Sequence, residues 1–217
     1  MQSTYKAPFD AFRPLANKPV YLVTPGHGGT YTFKPAGPLN PREPRHIGFT
    51  SCYDSVGVYF AIENHRCFAA NISAWVKTES NEIIVASTRI PVDTDSQQTY
   101  DKVAQEIVHR LDMESEKGGW AGQKTDVMRK SLVMTGRWMM KGSRTSMLQT
   151  AVVHAVQDWL EIPKARQWSA DRDGVLIVEH PGEVVVKAEH WLDAAKWQVV
   201  GGGDGVDLPW QLGANYA

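Results

Sequence analysis

The sequence predicts a single α+β domain over residues 1–217, with an antiparallel or mixed sheet and two main helices. Three observations lead there. The chain of 217 residues has no internal repeat and no composition shift that would divide it. In its first third an apolar run, "VGVYFAI", turns at "ENHR" and returns as "CFAANISAWV", the pattern of a strand buried on both faces and its partner. The order along the chain is strands, helix, an ambiguous segment, helix, hairpin, so strands and helices are segregated rather than alternating.

Each element has a local reason. Residues 1–17 read as an irregular lead-in, because Pro8 and Pro14 prevent a long helix. "PVYLVTPGHGGTYTF" reads as strands at about 20–24 and 30–33 around a Pro-Gly-His-Gly-Gly turn. "KPAGPLNPREPR" has four prolines in twelve residues, an extended solvent-facing loop whose flanks are expected in one sheet. "HIGFT" and "EIIVAST" are short strands. From Ser96 to Met113, Val103, Ile107, Val108 and Leu111 keep helical spacing opposite a charged face. "EKGGWAGQ" breaks the chain, and "SLVMTGRWMM" fits a strand and a buried helix equally well. A second helix is expected over 146–161, capped by Ser146 and ended by Pro163, with Met147, Leu148, Ala151, Val152, Ala155, Val156, Trp159 and Leu160 in two adjoining stripes. "GVLIVEHPGEVVVKAEH" reads as a hairpin, and a Gly-rich tail, 201–217, closes the chain.

Composition narrows the function. With 42% hydrophobic and 22% charged residues the chain is globular, and a net charge of −1 gives no global attraction to nucleic acid or an anionic membrane. No stretch of about eighteen apolar residues occurs, so no membrane partner is expected. The amino terminus lacks an apolar signal core, and two cysteines suit a reducing compartment; the expected location is the cytoplasm. Eight tryptophans are large core pieces, some of them available to line a pocket.

Several chemistries lack their motifs. There is no G-x-S-x-G, no H-E-x-x-H, no paired C-x-x-C and no dinucleotide fingerprint. "GRWMMKGS" has lysine and glycine in the wrong order for a phosphate loop. His65 and Cys67, flanking Arg66, are too few for a metal site. Neither a metal nor a cofactor is expected.

The stretch "FTSCYDSVGVYF" carries the strongest chemical signal. Cys52 follows the small residues Thr50 and Ser51 at the edge of an apolar strand, where backbone N–H groups can hold an oxyanion. A nucleophilic cysteine needs thiolate character, partial exposure and a proton acceptor, so a reactive Cys52 is expected to have a thiol pKa below the ordinary ~8.5. The competing reading is a small buried hydrophobe, the commonest role of free cysteine. Cys67 opens a strand and reads as packing, out of disulfide reach of Cys52.

The pattern "FTSC…VGVYF…ENHRC-FAANI" resembles the bacterial chemotaxis-receptor glutamine deamidases and the related toxin deamidases, over about thirty residues. The resemblance implies a deamidase-like fold, a nucleophile at Cys52 and a proton acceptor at the position of Asn71, where those families carry histidine. Asparagine orients groups but takes no proton near neutral pH. Three accounts of Asn71 stand side by side: a natural variant using His46 or His27 as base, an inactivated variant, or a pseudoenzyme.

The remaining candidates are weaker signals. His46 is a base or a polar partner, or a surface histidine at a strand start. His27 reads as a turn residue, or as a substrate contact among glycines that let a substrate approach the backbone, and Asp54 reads as a substrate contact or a turn cap. Between Asp126 and Asp158 no acidic residue occurs, while Arg129, Lys130, Arg137, Lys141 and Arg144 do, with Trp138 among them. That window is a solvated face or a site for tRNA or another phosphate-bearing ligand, with Trp138 as a stacking surface.

The expected function is therefore cysteine-dependent amide or acyl transfer through a thioester at Cys52, on a small-molecule or protein amide. Water as acceptor makes a deamidase or amidohydrolase. The alternatives are aminoacyl-tRNA-dependent amide formation, such as cyclodipeptide synthesis, and a non-catalytic binding protein on the same fold.

Overall fold

The computed structural model describes residues 19–33, 46–50, 52, 55–77, 83–85, 96–136, 144–163, 166–169, 175–188, 198–200 and 210–215. The expected lead-in, the proline-rich loop at 34–45 and most of the Gly-rich tail lie outside them.

The described elements make an α+β arrangement of two mixed sheets and three helices. In chain order they are β1 (Pro19–Val23), β2 (Gly28–Thr32), β3 (His46–Thr50), β4 (Ser55–Glu63), β5 (Arg66–Lys77), β6 (Ile83–Val85), α1 (Ser96–Lys117), α2 (Asp126–Ser131), β7 (Val133–Gly136), α3 (Arg144–Trp159), β8 (Arg166–Ser169), β9 (Val175–Glu179), β10 (Glu183–Ala188), β11 (Gln198–Val200) and β12 (Gln211–Asn215). The first sheet has the order β10-β9-β3-β1-β11. The second has the order β12-β5-β4-β7-β8, with β2 and β6 also pairing with β5.

Alternation along β4 and β5 divides the molecule into layers. Val56, Val58, Phe60, Phe68, Ala70 and Ile72 face α1 and α3, and with Val103, Ile107, Leu111, Val152 and Val156 they form the larger core. Tyr59, Cys67 and Ala69 face the other way, against Val23, Ile47, Phe49, Leu176 and Val178 of the first sheet. The result is helices on sheet on sheet, with β4 and residues 67–72 of β5 buried on both faces. Trp120, Trp159 and Trp210 are core residues, Trp120 and Trp210 both packing on Phe68 and Trp159 on Trp120.

Several expectations change. The strands flanking the proline-rich loop belong to different sheets, β2 to the second and β3 to the first, because β2 finds its ladder on β5. "SLVMTGRWMM" is split: α2 ends at Ser131 and β7 occupies 133–136, beside β4. Thr125 caps α2, its hydroxyl accepting from the Met128 N–H at 3.3 Å. α3 starts at Arg144, so Ser146 lies inside the helix rather than capping it. β8, β11 and β12 are additional strands. They run parallel to β7, β1 and β5, and their partners supply a hydrogen-bonding pattern that their own sequences do not announce.

Candidate functional site

Cys52 lies where the chain passes from the first sheet to the second, between the end of β3 and the start of β4. There Cys52 is buried, 2% exposed. Its sulfur is within hydrogen-bonding reach of the Gly57 backbone N–H, the Ser55 hydroxyl and the Asn71 carboxamide. Burial dominates over these contacts and pushes the thiol from an ordinary 9.0 up to about 12, since the thiolate is penalised in a dry interior. The expected low thiol pKa is thereby reversed.

Asn71 is the hub of the cluster. It stands opposite Gly57 in the β4–β5 ladder. The Ser55 hydroxyl donates to Asn71 Oδ1, and Asn71 Nδ2 donates to the Val23 carbonyl at 3.3 Å. Gly57 N–H faces the sulfur, and the Ser55 hydroxyl ties the Asn71 carboxamide beside it. Packing leaves no room for a side chain at Gly57: a Cβ would come 2.7 Å from Thr135 Cγ2 and 2.9 Å from the Phe49 ring. From the helix layer, Gln149 Nε2 reaches the Ser55 carbonyl at 3.4 Å.

The turn before β2 closes the other side of Asn71. Thr24-Pro25-Gly26-His27 forms a turn with the His27 N–H on the Thr24 carbonyl at 3.1 Å and Gly26 at φ 81°. Gly26 N–H then donates to the Asn71 carbonyl, and Asn71 N–H to the His27 carbonyl, both at 2.8 Å. Two residues of one strand oppose one of the other, which is a β-bulge with glycine in its left-handed position. The His27 ring is exposed, with Nδ1 3.0 Å from Thr24 Oγ1 and 3.1 Å from the Pro25 carbonyl.

Thus Cys52, Asn71 and the His27 turn come together, as three of the sequence-derived candidates. Thr50 ends β3 just before Cys52, its side chain outside the described ones, and Ser51 and Asp54 lie outside the described residues. His46 is not brought to the thiol. It opens β3, four residues before Thr50 and about 13 Å away along an extended strand. There it is buried opposite Glu179, with Nε2 3.8 Å from Oε2, which is a packing role and not that of a base for Cys52.

The basic window divides similarly. Arg129 is engaged at the surface by groups of its own chain: Nε donates to the Leu160 carbonyl at 2.9 Å, Nη2 to Glu161 Oε2 at 2.8 Å, and Nη1 lies 3.5 Å from Asp126. The acids missing from the window in sequence are met from its flanks. Arg137, Trp138 and Lys141 lie outside the described residues, as does the side chain of Arg144.

Ser55, Gly57 and Gln149 belong to the cluster but were not among the candidates. Gln149 carried a signal, a polar residue beside the apolar stripe of α3. Ser55 and Gly57 carried none, because only the pairing with β5 places them at the sulfur. Among the described residues no group of histidine, cysteine, aspartate or glutamate is arranged to hold a metal. No described helix is long and apolar enough to cross a membrane. No protein-family model matches the chain, and comparison with curated proteins finds no match.

Proposed function

We propose that the chain is a cysteine-dependent amide or acyl-transfer protein of the deamidase kind, with Cys52 as nucleophile and a carboxamide as substrate. The observation that supports this is the convergence of a backbone N–H, a hydroxyl and the Asn71 side chain on one buried sulfur. Gly57 N–H is the donor for a developing oxyanion, Ser55 holds the Asn71 side chain, and Gln149 holds the Ser55 carbonyl. The thiol rests protonated, so proton removal accompanies attack rather than preceding it. In that respect the site works like a serine hydroxyl, which needs a base in the same step. Asn71 orients the cluster and cannot serve as that base.

The experiment is ammonia release from glutamine-containing peptides, with acyl-enzyme trapping by intact mass spectrometry. Cys52→Ser is expected to abolish both signals. Asn71→His, which supplies a base at the sulfur, is expected to raise the rate by about a hundredfold, in the range of general-base catalysis. Absence of product and adduct in both the parent and Asn71→His would overturn the proposal. It would favour the second reading, a non-catalytic binding protein, which draws on the burial of Cys52 and on asparagine at position 71.

A further inference from the structure

We infer that His27 is the proton acceptor of the Cys52 site, acting from the bulge that faces Asn71; the inference rests on the thiol reading above. Three features of the turn carry it.

The first is placement. Gly26 and His27 together oppose Asn71, and residues opposed across a ladder have Cβ atoms about 5 Å apart on a common face. The Asn71 carboxamide is itself within hydrogen-bonding reach of the Cys52 sulfur. Asn71 is therefore the single residue between His27 and the Cys52 sulfur. Bulges of this kind re-aim a side chain next to a site, and here the re-aimed residue is a histidine.

The second is the tautomer. A carbonyl oxygen only accepts, so the contact of Nδ1 with the Pro25 carbonyl at 3.1 Å assigns the hydrogen to Nδ1. The lone pair is then on Nε2, the nitrogen that can receive a proton. Thr24 Oγ1 at 3.0 Å holds the ring in the same orientation. A backbone carbonyl fixing one ring nitrogen so that the other does the chemistry is the usual way a protein prepares an imidazole.

The third is the chemistry of the neighbours. Gly57 N–H, Ser55 and Asn71 stand at the sulfur, and none of these three takes a proton near neutral pH. His46 lies at the far end of β3 beside Glu179.

The step balances without an oxidant or cofactor. As Cys52 Sγ bonds to the carboxamide carbon, its hydrogen passes to His27 Nε2. The C–N bond breaks and the imidazolium returns that proton to the departing ammonia. Water then attacks the thioester carbon, His27 takes the water's proton, and the C–S bond breaks with the sulfur reprotonated.

The test is the rate of iodoacetamide labelling of Cys52 against pH, resolved from Cys67 by peptide mass spectrometry, with thermal melts as the check on folding. In the parent chain the Cys52 rate is expected to rise through an inflection near the histidine value of about 6.5. His27→Asn and His27→Gln are each expected to remove the inflection and slow labelling at pH 7.5 by about a hundredfold. His65→Asn, in the exposed β4–β5 turn, is expected to leave both unchanged. Thr24→Val keeps the imidazole but removes one anchor, and an intermediate loss with the inflection retained is expected. An unaltered profile in folded His27→Asn and His27→Gln overturns the role of His27 while leaving Cys52 a reactive thiol. A Cys52 that labels only in denaturant, in every variant, overturns the thiol reading and the inference with it.

Discussion

At the scale of single residues, burial governs the chemistry of Cys52. Hydrogen bonds to the sulfur favour the thiolate, but desolvation outweighs them and leaves the thiol held up at about 12. Cys67, with no polar contact offsetting its burial, is raised as well. The sign of the linkage follows. A group whose folded pKa lies above its unfolded value stabilises fully below the unfolded value and loses that contribution as pH climbs toward the folded one. Stability is therefore expected to fall between about pH 9 and pH 12. At pH 10.5, about 1.5 units above the unfolded thiol, Cys52 alone accounts for about 2 kcal/mol of the loss. Urea denaturation at pH 8 and pH 10.5 checks it: the decline is expected to be shallower in Cys52→Ala than in the parent, and equal slopes would contradict it.

At the scale of elements, the turn between β1 and β2 does more than connect two strands. It passes the chain from one sheet to the other, and its bulge sets His27 against Asn71. Pro25 at the second position supplies the fixed φ and Gly26 the positive one, so the turn is specified by two adjacent residues. Gly26→Ala forces a side chain into the left-handed region and is expected to cost about 1–2 kcal/mol. For a chain of this length that is a thermal midpoint lower by roughly 2–8 °C. Because the bulge is the scaffold of His27, Cys52 labelling should weaken in the same variant. A lowered midpoint with unchanged labelling would separate the turn's structural role from its role at the thiol.

At the scale of the whole molecule, a polar tie at His180 joins the two sheets. The Tyr59 hydroxyl, rising from β4, meets His180 Nδ1 at 2.8 Å in the turn between β9 and β10. Phe33 packs on the same imidazole with ring centroids 4.9 Å apart. The tie spans the layer that also encloses Cys52, so its loss loosens the sheet-to-sheet packing around the site. Tyr59→Phe keeps the ring and removes the hydrogen bond. It is expected to destabilise by about 1–2 kcal/mol, measured by urea denaturation, while leaving the helix-side core intact. A neutral effect would mean that apolar contact alone registers the two sheets.

The α+β class, the β4–β5 hairpin, the two long helices and the β9–β10 hairpin were legible in the sequence because each rests on local periodicity and turn residues. Cys52, Asn71 and His27 were singled out in the sequence, one from its small-residue neighbours, one from a resemblance and one from its glycine-flanked turn, and the fold brings Cys52, Asn71 and that turn together. Periodicity reports which face of an element is apolar and is silent about what covers it. The division into two sheets, the parallel edge strands β8, β11 and β12, and the assignment of β2 and β3 to different sheets all depend on distant partners. So does the distinction between the two histidines: strand register carries His46 to Glu179 and a bulge holds His27 beside Asn71. The gathering of Ser55 and Gly57 at one sulfur, with Gln149 on the Ser55 carbonyl, was likewise decided by tertiary structure, since a hydrogen bond across sheets or layers leaves no spacing in the chain from which to read it.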